Sequence, residues 1–287
     1  AVQANHPTLR AAQAGVDAAE GDRTTAEGGF DLTWGATGKA VPIGKEVWLY
    51  TDTGLRHPTT LWGTEFFGGW RRGAGEVPLY EGDKVTTGNG ELTAGVTVPL
   101  WQGGPIDANR AKLRQAGVKV DLAGLDVDST RLKLLAKAAQ TYWKWVAAGH
   151  SLRITQGLLD MAEQRNAQIE SRVRDGDLAN IELIENQRAI LKRRSELVKA
   201  RQKLNEAALS LSLFFRDAEG RPVVAPPGAV PDHFPEPEPD PVQPLPDDQA
   251  EARARQPALA KLEAYRRITA VDRDLADNQI APQIDLT

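Results

Sequence analysis

The chain has 287 residues, with 35 Lys and Arg against 39 Asp and Glu, for a formal net charge of −4. So even a balance lacks the concentrated basic face that a phosphate backbone demands, which argues against a nucleic-acid partner. Hydrophobic residues at 41% suffice for a folded core, yet no run reaches the roughly 18 uncharged apolar residues of a spanning helix, so bilayer contact falls to a surface helix, a lipid or a β-barrel.

Cysteine is absent, which removes disulfides and thiolate metal sites together. The chain opens Ala1-Val2-Gln3-Ala4-Asn5, with neither a basic n-region nor an apolar h-region, and reads as a mature form or a fragment. Composition divides it into a lead helix (1–29), a Gly/aromatic block (30–104), a helical block (105–215), a Pro-rich linker (216–250) and a closing segment (251–287).

The Gly/aromatic block carries most of the seven Trp and suits pleated strands joined by turns. Phe30, Leu32 and Trp34 share one face of a first run; Trp62, Phe66 and Trp70 share one face of a second, although Phe67 breaks its alternation. The clearest run sets Leu92, Ala94, Val96, Val98 and Leu100 against Thr93, Gly95 and Thr97, a two-residue period with one apolar face. Such strands fit either a soluble sheet packed on a core or a membrane barrel facing lipid, and the pattern alone favours the commoner soluble case.

From 107 to 215 there is no proline, and Leu183, Ile190, Leu197, Leu204 and Leu211 recur every seventh residue. Ile184, Leu191 and Val198 form a second seam beside them, and Trp145, Leu152, Leu159, Asn166 and Val173 repeat the spacing upstream. A sustained heptad predicts a coiled coil, because 3.6 residues per turn must be underwound to keep the seam on its partner. Arg174-Asp175-Gly176-Asp177-Leu178 interrupts the pattern. Gly176 suits the left-handed residue that ends a helix, and Asp177 is expected to cap the next one, so the chain reverses there into an antiparallel hairpin. Its first arm would extend roughly 100 Å at ~1.5 Å per residue. Gly149 is a competing break without a following cap. The Pro-rich stretch after 215 reads as an extended spacer with no core of its own.

The ends echo one another. At an offset of 250 residues Pro7, Leu9, Ala14, Asp22, Arg23 and Ala26 match Pro257, Leu259, Ala264, Asp272, Arg273 and Ala276, and each copy leads into an Asp-Leu-Thr strand opening. The order is helix, strands, helical hairpin, linker, then the same again, so the chain is expected to stop at the first strand of its second copy.

With this order in view the sequence resembles the outer-membrane efflux protein family, the TolC-like exit ducts of Gram-negative bacteria. Asn5-His6-Pro7-Thr8-Leu9, Val98-Pro99-Leu100-Trp101-Gln102-Gly103-Gly104, the stretch 172–184 and Ile280-Ala281-Pro282-Gln283-Ile284-Asp285-Leu286-Thr287 carry the resemblance. It implies a mixed α and β membrane protein, with a long antiparallel coiled-coil hairpin and transmembrane β-strands given to a trimeric 12-stranded barrel, two strands per repeat. It also implies passive conduction without catalysis. The partners would be two further copies in a homotrimer, a periplasmic adaptor (membrane fusion) protein, an inner-membrane transporter and outer-membrane lipid, with the helices in the periplasm. By position Arg172, Gly176, Asp177, Leu178 and Glu182 fall at the tip where adaptors dock in the family. Glu182 stands where an acid is common, whereas Asp177 replaces a typical apolar residue. Trp34, Trp62, Phe66 and Trp70 become lipid-interface aromatics. The family's gating acids lie in the second hairpin, so no gate residue is assigned.

No catalytic, cofactor or metal residues are expected. His6, His57, His150 and His233 are scattered, no nucleophile triad or phosphate-binding glycine motif is legible, and Asp126-Val127-Asp128-Ser129 lacks calcium-loop spacing. Lys192, Arg193 and Arg194 read as a polar coil face. The competing reading is a soluble periplasmic coiled-coil adaptor or scaffold, although the lipoyl-like halves and lipid-anchoring Cys expected of an adaptor are not legible.

Overall fold

The computed structural model describes residues 6–41, 48–75, 85–217, 219–234 and 245–287. Its helices are α1 (Pro7–Glu27), α2 (Ala108–Arg174), α3 (Asn180–Ser212), α4 (Leu245–Arg255) and α5 (Pro257–Gln279); its strands are β1 (Thr33–Val41), β2 (Trp48–Pro58), β3 (Glu65–Gly75), β4 (Glu91–Pro99) and β5 (Asp285–Leu286). Pro7 and Pro257 each open a helix, a position where the missing N–H goes unused and the fixed φ is already helical. Two compact units result, Gln13–Asp126 with Gln256–Thr287, and Ala1–Ala12 with Val127–Arg255.

The first unit is built on an antiparallel meander in the order β1-β2-β3-β4-β5. Pairing runs without slippage from Thr33↔Arg56 to Val41↔Trp48, from Trp48↔Gly75 to Pro58↔Glu65, and from Glu65↔Thr97 to Arg71↔Glu91. β5 joins β4 through Val98↔Leu286 and Pro99↔Asp285. The block therefore holds four strands where the resemblance implies two; among the described residues, turns at 59–64 and at Thr87–Gly90 separate segments of strand length. The first strand opens at Thr33, so Phe30 lies in a 3-10 turn (Gly28–Phe30) and Leu32 before the ladder, outside the alternating run expected of them.

At the passage from β4 into α2, Arg110 is 6% exposed. Its Nε donates to Asp107 Oδ2 at 2.6 Å, and its guanidinium also reaches the carbonyls of Gly103 and Gly104. A planar fork of donors thereby satisfies the oxygens of a tight Gly-Gly-Pro elbow. Farther along, α5 lies beside this part of α2 through Gln115–Asp272, Asp121–Arg267 and Asp126–Lys261 pairs. Asp126 and Asp128 thus sit on a solvated helix face, the latter paired with Arg131.

In the second unit α3 packs back on α2. Ile190, Leu197, Leu204 and Leu211 are all buried, as are Trp145 and Leu159 from the upstream heptad. Leu159, Ile190 and Leu197 form one apolar cluster; Trp145, Val146, Leu204, Ala208, Leu211, Ala225 and Val230 form another. The described part of the Pro-rich stretch is thus not a spacer without a core, since Ala225 and Val230 belong to one. Gly149 explains the approach: a Cβ there would lie 2.5 Å from Val230 Cγ1, and the helix runs through it unbroken. Arg153 donates to the carbonyls of Val230 and Pro231 at 3.2 and 2.7 Å, and Phe234 stacks on His150 at 4.5 Å.

Candidate functional site

Two surfaces concern the expected function, the faces of the meander and the turn between α2 and α3. The register sorts the meander's side chains. One face carries Trp34 from β1, Leu49 and Leu55 from β2, Phe66 and Trp70 from β3, and Leu92 and Val96 from β4. Trp34 is 72% exposed and Leu92 86%, which is costly against water at about 25 cal/mol per Å² of apolar surface. The indole of Trp34 donates to Thr53 Oγ1 at 2.9 Å across the same face.

The opposite face carries the charged, cross-linked side chains, together with Trp48 and Phe67. Arg71 on β3 donates to Glu91 on β4 at 2.9 Å, Tyr50 Oη donates to Asp52 at 3.1 Å, and Arg56 meets Glu65 at 3.5 Å across β2 and β3. Asp52 and Arg71 are register partners. Phe67 points to this side, and its ring covers Gly95, its cross-strand partner, where a Cβ would lie 2.6 Å away. An aromatic laid over a strand glycine fills the gap the missing side chain leaves; this is why Phe67 departs from the apolar alternation.

Trp62 stands apart from the other three aromatics assigned to lipid. It is not in a strand but in the β2–β3 turn, with φ +50°. Its Nε1 donates to the Pro99 carbonyl at 2.9 Å, and its ring fills the space a side chain on Gly104 would need.

At the helical turn Gly176 has φ +84°. The Gly176 N–H donates to Val173 O at 3.1 Å and the Asp177 N–H to Arg172 O at 2.9 Å, a Schellman closure of α2. Asp177 is not the cap of the next helix as its sequence position suggests; the N-cap is Ala179, with no side-chain hydrogen bond. The amide of Asp177 is engaged in closing α2, and the start of α3 is displaced two residues onward. Glu182 lies in the first turn of α3, where a carboxylate meets the positive end of the helix dipole. Arg172, Gly176, Asp177 and Glu182 are exposed and Leu178 half-buried, at or beside the turn between α2 and α3.

Sequence reasoning did not single out Arg110, although Asp107 and Arg110 stand one helical turn apart after a Gly-Gly-Pro elbow. It also passed over Asn186, whose amide donates to Asn166 Oδ1 at 3.1 Å in the α2–α3 seam; a polar pair among heptad leucines is the readable signal. Among the described residues no cluster of three or more His, Asp or Glu could hold a metal ion, and no helix is long and apolar enough to cross a membrane.

A family model described as outer membrane efflux protein matches residues 69–214, from within β3 through the end of α3. The chain belongs to the outer membrane efflux protein family. Solved structures agree in fold. The VceC outer membrane protein of Vibrio cholerae superposes with a TM-score of 0.61 at 11% identity, over 99% of this chain and 61% of its own. The MtrE outer membrane channel of Neisseria gonorrhoeae gives 0.62 at 13%, over 96% and 52%, and the CmeC outer membrane channel of Campylobacter jejuni 0.60 at 12%, over 95% and 51%. The chain therefore spans between about half and about three fifths of these channels. No curated protein sequence matches it significantly.

Proposed function

We propose that this chain is part of an outer-membrane exit duct of a tripartite efflux or type I secretion system, conducting solutes passively and without catalysis. The carrying observation is the segregation of the two meander faces. An apolar face with Trp34 and Leu92 mostly exposed is stable against hydrocarbon, and a face bearing Asp52, Arg56, Glu65, Arg71 and Glu91 suits a water-filled lumen. A soluble adaptor or scaffold would instead cover that apolar face with a core.

The protein acts as a homotrimer whose strands close one barrel in the outer membrane and whose α2–α3 coiled-coil hairpin stands in the periplasm. Leu191 and Val198 support this, being 64% and 65% exposed while the neighbouring heptad seam is buried; a second apolar seam suits a further helix, here from another copy. Arg172, Gly176, Asp177, Leu178 and Glu182 dock the periplasmic adaptor, which couples the duct to an inner-membrane transporter. Trp34, Phe66 and Trp70 contact lipid, and Trp62 lies at the inner rim of the barrel.

Reconstitution of the full-length protein tests this reading. Recovery in detergent-extracted outer membrane and discrete conductance steps in planar bilayers are expected. A protein that stays dispersed in plain buffer and passes no current overturns it.

A further inference from the structure

We infer that the outer surface of α3 binds an extended anionic polymer of the periplasm, the carboxylate-bearing peptidoglycan of the cell wall, through a row formed by Arg188, Lys192, Lys199 and Lys203. The inference rests on the reading of the hairpin as part of a periplasmic tube and adds to it a contact between that tube and the wall around it.

Charge is unevenly placed along the chain. α3 holds seven Lys and Arg against four Glu, whereas the whole chain has a net charge of −4. Arg188, Lys192, Lys199 and Lys203 are all exposed, and none of them has an ion-pair or hydrogen-bond partner among the described residues. Their neighbour Arg194 differs, since its guanidinium donates to Glu163 on α2 at 2.8 Å. Glu196 is the acid that interrupts the row, and Glu185 and Glu206 stand at its two ends. Glu206 already accepts from Gln202 at 3.0 Å.

Two apolar seams decide which way the row points. Ile190, Leu197 and Leu204 are buried against α2, with Ala200 on the same stripe. Leu191 and Val198, 64% and 65% exposed, stand about 130° around the helix from the centre of that stripe in a seven-residue frame, and meet the next helix of the tube. The two seams therefore divide the circumference into arcs of about 130° and about 230°. Neighbours on a closed ring subtend less than half a turn on the inner side, so the narrow arc faces the lumen and the wide arc faces outward. Lys192 and Lys199 lie near the middle of the wide arc, with Arg188 and Lys203 on its flanks. Arg194 and Arg201 fall in the narrow one.

Spacing selects the kind of partner. The row rises by about 22 Å from Arg188 to Lys203, and Lys192 and Lys199 are about 10 Å apart along the axis. A small anion needs donors that converge on it within hydrogen-bond reach, and this row does not converge. It suits a chain with repeated carboxylates, and lysine, a mobile point charge on a long stem, tolerates irregular distances between them. Peptidoglycan supplies that chemistry in the periplasm, because its peptide stems bear free carboxylates along a continuous mesh. A homotrimer presents three such rows, so one attachment raises the effective concentration for the next.

Co-sedimentation of the detergent-solubilised full-length protein with purified peptidoglycan sacculi tests this. Binding is expected that weakens as salt is raised and is lost on sacculi whose carboxylates have been amidated. Lys192→Gln combined with Lys199→Gln should lose roughly tenfold in affinity, the scale of two exposed ion pairs, while Arg201→Gln on the narrow arc should bind as the wild type does. Should the double variant fail to fold, the amidated sacculi still decide, because they need only the wild type. Sedimentation indifferent to amidation, or an equal loss in Arg201→Gln, overturns the inference. So does a double variant that sediments normally but no longer captures the adaptor, which would assign the row to a protein partner. A wild type that conducts in planar bilayers yet does not sediment with sacculi overturns this inference and leaves the duct standing; neither conductance nor sedimentation overturns both.

Discussion

Gly149 and Val230 meet where a side chain on the glycine would have no room, its Cβ falling 2.5 Å from Val230 Cγ1. The Gly149→Ala substitution sets two effects against each other. Alanine favours the helix interior by up to about 1 kcal/mol, whereas overpacking costs roughly 1–3 kcal/mol. Displacement of the 225–234 segment is the expected outcome, with α2 intact. Proteolysis within 219–234 should accelerate while helical circular dichroism stays unchanged; equal cleavage rates for the two proteins would show that the contact does not hold the segment.

Gly176 is the opposite kind of glycine. Nothing lies within 4 Å of an added Cβ, but φ is +84°, so the cost of substitution is backbone strain of about 1–2 kcal/mol rather than collision. Gly176→Val should open the turn, seen as faster amide exchange at Gly176 and Asp177 and weaker adaptor capture. Gly176→Asn should keep both, because Asn tolerates the left-handed region. Similar behaviour of the two variants would count against the strain argument.

Removing the guanidinium in Arg110→Met leaves Asp107 Oδ2 and the Gly103 and Gly104 carbonyls without their side-chain donor, while the Arg110 N–H still serves Asp107 Oδ1. Asp107 is 30% exposed and can be rehydrated, so the cost is that of acceptors left without a donor, about 1–3 kcal/mol. Arg110→Lys should recover only part of this, since a point charge does not reproduce a planar fork. Urea unfolding of the detergent-solubilised protein measures the loss. A change within a few tenths of a kcal/mol would mean that water replaces the missing donor.

His6 should make stability depend on mildly acidic pH. Partial burial, and then the nearby Arg216 cation, hold its imidazole below the ordinary value. Its Nδ1 accepts the Thr8 N–H at 3.3 Å, and its ring stacks on Phe214 at 5.8 Å. A lowered folded pKa means that the fold prefers the neutral ring. The contribution is therefore full above the unfolded value near 6.5, declines as pH falls through it, and is lost below the folded value. Thermal unfolding from pH 8 to 5 should show this decline in the wild type and less of it in His6→Asn; parallel curves would remove His6 as the cause.

Local periodicity carried much of the chain's organisation. Leu197 and Leu204 are legible as a buried stripe because seven-residue spacing constrains one helix face whatever it packs against. Leu92 to Val98 are legible as a strand because alternation is local too. Phe67 and Trp62 were not. Phe67 departs from its pattern to cover Gly95 on another strand, and Trp62 leaves the strand for a turn closed by Pro99, so each depends on a partner 28 or more positions away. Asp177 misled for a related reason: a good capping residue was taken up by closing the preceding helix.

The sequence by itself determined the class of the elements, the even charge, the repeat of a Pro-led helix before a strand, and the family resemblance, because these follow from residue type and short-range spacing. Only the tertiary structure decided how many strands the Gly/aromatic block forms, which side of them carries the ion pairs, and why Gly149 and Arg110 stand where they do. Those outcomes depend on pairing register and on the approach of segments distant in the chain, and no single stretch of residues encodes such a contact without its partner.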